Sequence, residues 1–268
     1  MADQPIGIFD SGIGGLTVAR AILERLPAER ILYFGDTAHL PYGDKSSAAI
    51  RHYAERITDF LLERDCKAVV IACNSASAAA YGHLKRRFGE RVPVFNVIDP
   101  VVEAVAARKE LQRIGVIGTK ATVRAAAYPR KLRRLRPMLK VGSLATPLLA
   151  PMIEEGFFNN NISRAVLASY LERPSLRRIQ ALIMACTHYP LIRDDIEAFY
   201  NGQVELFDTP SVVADAVAAR LREDGLLRRR RSSKPHAFCV SDYTDSFAKT
   251  TRLFWGEAIH LEPVALWD

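Results

Sequence analysis

Residues 71–75 read IACNS and residues 184–188 read MACTH. Each stretch closes an apolar run with Ala-Cys and follows it with residues that hydrogen-bond, and together they hold two of the chain's four cysteines. A thiol at the end of a buried strand commonly serves as a small apolar filler. Beside a helix N-terminus, however, the dipole and free N–H groups favour thiolate, the form that moves protons. Asn74, Ser75 and Thr187 stand next to Cys73 and Cys186 as donors for a carboxylate, and His188 lies two residues beyond Cys186, placed for proton exchange. Two thiols approaching one small substrate from opposite sides can remove a proton from one face of a tetrahedral carbon and return one to the other. That chemistry is racemisation or epimerisation.

Other segments offer weaker chemistry. The turn DSGIGG (Asp10 to Gly15) has glycines that permit a tight bend and a close backbone approach to an anion, but it lacks the full G-x-G-x-x-G spacing of a dinucleotide fingerprint. The stretch GDTAHLPYGDKS (residues 35–46) reads equally as a pocket cover or as a surface loop capped by Asp44 or Ser46 before a helix. Cys66 and Cys239 have no reactive surroundings and read as structural. Cys186 and His188 are spaced for a metal, yet no second Cys/His pair completes a tetrahedral set, so no metal is expected.

The elements that must hold these residues alternate between short apolar runs and amphipathic stretches, as parallel strands with crossover helices do. A first series of strands is expected at 6–9, 31–34, 68–73 and 92–97, with Leu16, Ala19, Leu23 and Leu26 on one helical face. A second series follows at 113–119, 141–146, 181–186 and 204–209. Both begin with a Gly-containing strand and later reach a strand ending in Ala-Cys at a similar separation, which suggests an internal duplication. Beyond residue 208 come a helix with Val212, Ala216, Ala219 and Leu226 near one face, a basic run, and strands near 236–241 and 259–264. This tail is too short for a third domain and is expected to complete one of two lobes.

Composition sets the bounds. A chain of 268 residues with 49% apolar and 25% charged residues suits a soluble globular protein of two lobes. The N-terminus has no basic region leading into a long apolar stretch, and no run approaches the length of a membrane span, so a cytoplasmic protein without membrane contact is expected. Four dispersed cysteines fit reduced thiols rather than a disulfide framework. Much of the net charge of +7 comes from Arg130 to Arg136 and Arg228 to Arg231. Such runs are usually solvated faces; nucleic-acid binding or a regulatory role, with the thiols as mere core residues, is the alternative from another functional class.

On the segments IGIFDSGIGGLTV, YFGDTAHLPYG, VIACNSASA, IGVIGT, EEG (154–156) and ACTHYPLI, the chain closely resembles the glutamate racemases of the aspartate/glutamate racemase superfamily along nearly its whole length. The resemblance implies two similar α/β lobes with mostly parallel sheets, related by a pseudo-twofold axis, with the active site in the cleft between them. It implies a discontinuous first lobe of residues 1–98 plus 208–268 and a second of residues 99–207. It further implies interconversion of L- and D-glutamate, without a cofactor, by a homodimer that supplies D-glutamate for peptidoglycan. Carried over by motif, Cys73 and Cys186 are the acid/base pair, with Asp10, His188 and Glu154 as helpers. Asp10, Ser11, Tyr42, Gly43, Asn74, Ser75, Thr119, Thr187 and His188 hold the substrate, the turn at 42–43 offering backbone donors to the distal carboxylate.

Some positions depart from the family pattern: Ser75 stands where threonine is commoner, and His39 where arginine is frequent. Neither removes a thiol or its helper. A Cα–H is a far weaker acid than a thiol of ordinary pKa, about 8.5, so hydrogen bonds to the α-carboxylate must stabilise the developing carbanion. No lysine motif argues for pyridoxal phosphate as the electron sink. Racemisation of aspartate or a related acid on the same fold is the near alternative.

Overall fold

The computed structural model describes residues 2–267. Met1 and Asp268, the outer ends of the expected first lobe, lie outside the described residues. Strands β1 (Ile6–Asp10), β2 (Ile31–Gly35), β3 (Ala68–Ile71) and β4 (Val94–Asn96) alternate with helices α1 (Leu16–Arg25), α2 (Ser47–Glu63) and α3 (Asn74–Phe88). After α4 (Asp99–Ala107) the pattern recurs as β5 (Arg113–Gly118), α5 (Lys120–Arg124), α6 (Ala127–Leu135), β6 (Lys140–Ala145), α7 (Leu149–Glu154) and α8 (Asn161–Leu171). It continues with β7 (Ala181–Ala185), α9 (Arg193–Phe199) and β8 (Glu205–Phe207), then α10 (Thr209–Glu223), β9 (Ala237–Val240), α11 (Asp245–Trp255) and β10 (Glu262–Pro263).

Two sheets result, ordered β10-β9-β2-β1-β3-β4 and β6-β5-β7-β8, with every pairing parallel. Without the two C-terminal edge strands, the order 2-1-3-4 of the first sheet repeats as 6-5-7-8 in the second. The strands that lead into the two thiols, β3 and β7, therefore hold equivalent places. In each sheet the chain reverses its direction of advance between the first strand and the third, and ligands bind outside the carboxyl ends of strands at such switch points.

The strands are apolar on both faces because helices cover both. Ile8 and Val70 of the first sheet share one continuous core with Leu182 and Met184 of the second and with Val213 and Val217 of α10, so apolar packing crosses between the lobes. Each such fully buried side chain contributes about 1.5–3 kcal/mol. On the opposite face Phe9, Phe34 and Ile71 pack under α2 and α3, and Ile114, Val116 and Ile183 pack under α4 and α6.

Both expected helical faces are corrected. Helix α1 buries Leu16, Val18, Ala19 and Ile22, while Leu23 is only half-buried. Helix α10 buries Val213, Ala214, Val217, Ala218 and Leu221, and Ala219 is exposed. These two helices pack on each other as well as on the sheets. The buried face of α10 is thus turned by one residue from the expected stripe, and that of α1 gains Val18 and Ile22.

The C-terminal strands extend the first sheet beyond β2. A buried ion pair helps to tie this region down: Lys67 Nζ donates to Glu29 Oε2 at 2.6 Å and to the Leu226 carbonyl at 2.8 Å, while the Arg228 N–H donates to Glu29 Oε1 at 2.8 Å. Among the described residues no helix is long and apolar enough to cross a membrane.

Candidate active site

At the end of β3 the chain turns into α3, and Cys73 is the N-cap of that helix, with φ −70° and ψ 126°. Its Sγ accepts the Ala76 N–H at 3.4 Å, and its thiol donates to Ser11 Oγ at 3.6 Å. Burial pushes the Cys73 thiol up to about 12, and the nearby Asp10 carboxylate adds to the effect. The Asp10 carboxylate is fully buried; Oδ2 accepts N–H groups from Gly15 at 3.0 Å and Gly12 at 3.2 Å, whereas Oδ1 has no partner. Burial holds its carboxyl above the usual range against the opposing pull of His188. Asp10 thus lies beneath the pocket wall rather than in it, unlike a direct substrate contact.

Cys186 occupies the matching position after β7, but its surroundings differ. Tyr189–Ile192 form a 3-10 turn before α9 begins, so Cys186 caps no α-helix, contrary to expectation. Pro190 belongs to this turn, and its missing N–H and fixed φ favour the tight segment. A side-chain relay stands in place of the helix end. His188 Nδ1 lies 3.5 Å from Cys186 Sγ and 3.3 Å from Thr187 Oγ1, and Nε2 lies 2.8 Å from Glu154 Oε1. Burial alone would lower the imidazole pKa, yet the charge and hydrogen bond of Cys186, with the hydrogen bond to Glu154, raise it well above the ordinary value.

Both thiols face one pocket, whose free space, mouth included, is about 690 Å³. The expected residues Ser11, Tyr42, Gly43, Asn74, Ser75, Thr119, Glu154, Thr187 and His188 line it together with Cys73 and Cys186. Leu40 and Pro41 of the 35–46 stretch line it too, while Lys120, Thr146, Pro147 and Pro151 also line it and were not anticipated. The duplication offered a signal for Thr146, because it follows β6 as the 36–44 loop follows β2. The Tyr42 hydroxyl is committed elsewhere, donating to Asp36 Oδ2 at 2.6 Å, which leaves its backbone for the pocket. The stretch at 35–46 satisfies both of its readings, since it lines the pocket and Ser46 also caps α2, accepting from Ala49 N–H at 3.2 Å.

Hydrogen bonds close the lobes around this space. Ser75 Oγ lies 2.8 Å from Thr119 Oγ1, Tyr128 donates to Asn74 Oδ1 at 2.8 Å, and the Thr17 hydroxyl donates to the Thr187 carbonyl at 3.1 Å. Asn74 Nδ2 is buried without a partner, an unused donor on a residue that lines the pocket. Gly14 and Gly15 of the DSGIGG turn are needed for packing. A Cβ on Gly14 would sit 2.4 Å from His188 Cε1, and one on Gly15 would sit 2.5 Å from the Asp10 Cβ. Cys66 and Cys239 are buried away from the pocket, their thiols raised by burial to about 12 and about 11. Among the described residues no group of three or more His, Cys, Asp or Glu side chains is gathered as a metal ion would require.

Fold and site together define a two-lobed α/β protein whose pocket receives one thiol from each of two equivalent strands. Comparison with known proteins narrows this class. The sequence model described as Asp/Glu/Hydantoin racemase matches residues 6–217. A glutamate racemase from Neisseria meningitidis is 41% identical over 266 residues, covering 98% of this chain and 97% of the relative. One from Chlorobaculum tepidum is 40% identical over 256 residues, with coverage of 95% and 93%. The crystal structure of the Francisella tularensis glutamate racemase in complex with D-glutamate superposes with a TM-score of 0.93 at 37% identity, covering 100% of this chain and 99% of that one. The chain belongs to the Asp/Glu/Hydantoin racemase family.

Proposed function

We propose that the protein interconverts L- and D-glutamate, with Cys73 and Cys186 exchanging protons with opposite faces of Cα and no cofactor. The observation that carries this is the pair of thiols at equivalent strand ends, both lining one pocket and each with its own buried helper. Relatives named glutamate racemase over almost the full chain length supply the choice of substrate.

In this scheme His188 is the proton store beside Cys186, kept cationic by Cys186 and Glu154. Cys73 rests as a thiol at neutral pH, ready to donate, and the free Oδ1 of Asp10 is the nearby acceptor when Cys73 must act as base. Ser11, Asn74 Nδ2, Ser75, Thr119 and Thr187 serve the α-carboxylate and amino group, with the N-terminus of α3 adding its dipole where carbanion charge develops. The 42–43 turn serves the distal carboxylate, since the first N–H groups of such a turn have no partner within it.

The lobes divide as residues 1–98 with 208–268, and 99–207. The enzyme works in the cytoplasm as a homodimer and feeds peptidoglycan synthesis; light scattering on the purified protein checks the dimer. The deciding experiment is incubation of cofactor-free protein with L-glutamate in heavy water. D-Glutamate bearing deuterium at Cα is expected. Product retaining its original proton, or a requirement for pyridoxal phosphate, would overturn the two-thiol mechanism.

A further inference from the structure

Asp36 follows β2 and is fully buried, and its carboxylate gathers donors from three separate parts of the chain. Tyr42 OH donates at 2.6 Å, Ser241 Oγ at 2.8 Å and Trp267 Nε1 at 2.9 Å, while His39 Nδ1 lies 3.0 Å away. A buried carboxylate is tolerable only with such a set of donors, so removing one loosens the group that the others hold. Two of the four, His39 and Tyr42, belong to the segment whose residues 40–44 form one wall of the pocket. The wall is thereby fastened through Asp36 to the far C-terminus.

The C-terminal segment is built to bear that connection. Strand β10 pairs with β9, the Val264 N–H donates to the Val240 carbonyl at 2.9 Å, and Val264, Leu266 and Trp267 pack against the core under α2. The indole meets the His39 ring edge-on at 4.6 Å and the Tyr53 ring at 5.4 Å, while His39 stacks on Tyr53 at 3.9 Å. Trp267 itself is only half-buried, and its ring contacts are divided between His39 and the α2 residues His52 and Tyr53. Trp267 was not expected to bear on the pocket, because the indole and its acceptor are 231 residues apart in sequence.

We propose that Trp267 is a positioning residue: by holding Asp36, and through it Tyr42 and His39, it sets the wall that receives the substrate's distal carboxylate. This rests on the assignment of the pocket to glutamate. Its signature is a change in substrate affinity rather than in proton transfer, since both thiols and their helpers lie on other segments.

Two variants of the full chain test it. Trp267→Phe keeps the ring and loses the N–H; Trp267→Ala loses both. With Trp267→Phe, KM for D- and L-glutamate should rise about tenfold, equivalent to one hydrogen bond to a charged group, while kcat stays within about twofold. Trp267→Ala should raise KM further, and if it fails to fold, Trp267→Phe decides alone. Backbone amides of residues 37–44 should also exchange faster in Trp267→Phe than in the wild type without substrate, by more than the amides of the second sheet do. Unchanged KM, unchanged exchange, or a fall in kcat at constant KM with a lower melting temperature would each overturn the proposal. Failure of the wild type to turn over glutamate would refute the assignment of the pocket instead, and the exchange comparison would still judge the connection.

Discussion

At the scale of single residues, the two thiols are alike in placement and unlike in support. Cys73 is held by a helix N-terminus and Ser11, Cys186 by the His188–Glu154 pair. Replacing either cysteine by serine keeps size and hydrogen bonding but removes the soft, ionisable sulfur. Racemisation should fall by about 10²–10⁴-fold with the fold intact, as read from D-glutamate formation and circular dichroism. The acid/base state of His188 can be followed separately. Glu154→Gln removes one of the interactions that raise its pKa, so the imidazole titration measured by NMR should move down towards the ordinary 6.5. The sign for stability follows, because the folded protein binds this proton more tightly than the unfolded chain. His188 contributes fully below about pH 6.5 and its contribution is lost as pH rises through the raised value, a trend that urea melts across pH should show weakened in Glu154→Gln.

At the scale of elements, the turn between β1 and α1 answers to a partner far outside its own sequence. Its glycines permit a tight bend, and Gly14 gives room for the His188 ring arriving from the other lobe. Nothing in the local sequence says which distant side chain needs that space. Gly14→Ala would place a Cβ 2.4 Å from His188 Cε1 and 2.6 Å from Thr187 Oγ1, forcing the relay beside Cys186 out of line. Turnover should drop by about 10²-fold, since a displacement near 1 Å costs that much in a positioned site, and steady-state kinetics beside a thermal melt would separate this from unfolding. The helix after Cys186 taught the complementary lesson. A strand ending in Ala-Cys looked like a second helix cap, but the Pro190 turn intervenes and leaves the work to side chains.

At the scale of the whole molecule, the lobes share one apolar core and the C-terminal segments return to the first sheet. The Lys67–Glu29 pair fastens part of this return, with Lys67 also bonded to the Leu226 carbonyl. Lys67→Met leaves a buried carboxylate without its counter-charge and should cost about 3–5 kcal/mol, lowering the melting temperature by about 10 °C. Glutamate KM below the melt should be unchanged because the pair lies away from the pocket. Calorimetry and initial rates on one preparation would check both.

The sequence by itself determined the alternation of strands and helices, the duplication, and the residues gathered around the thiols, because local periodicity and repeated frames write these directly into the chain. Both thiols, Asn74, Ser75, Thr187 and His188 were legible in this way, since they follow strands whose apolar runs mark their ends, whereas Ser11 and Thr119 came only with the family resemblance. Only the tertiary structure decided that Asp10 sits under the pocket, that the Tyr42 hydroxyl turns away to Asp36, that Gly14 makes room for His188, and that Trp267 donates to Asp36. Those outcomes depend on which surfaces of two lobes meet and which buried polar groups must share donors. Such distances are set by packing between segments up to 231 residues apart, beyond the reach of any local pattern.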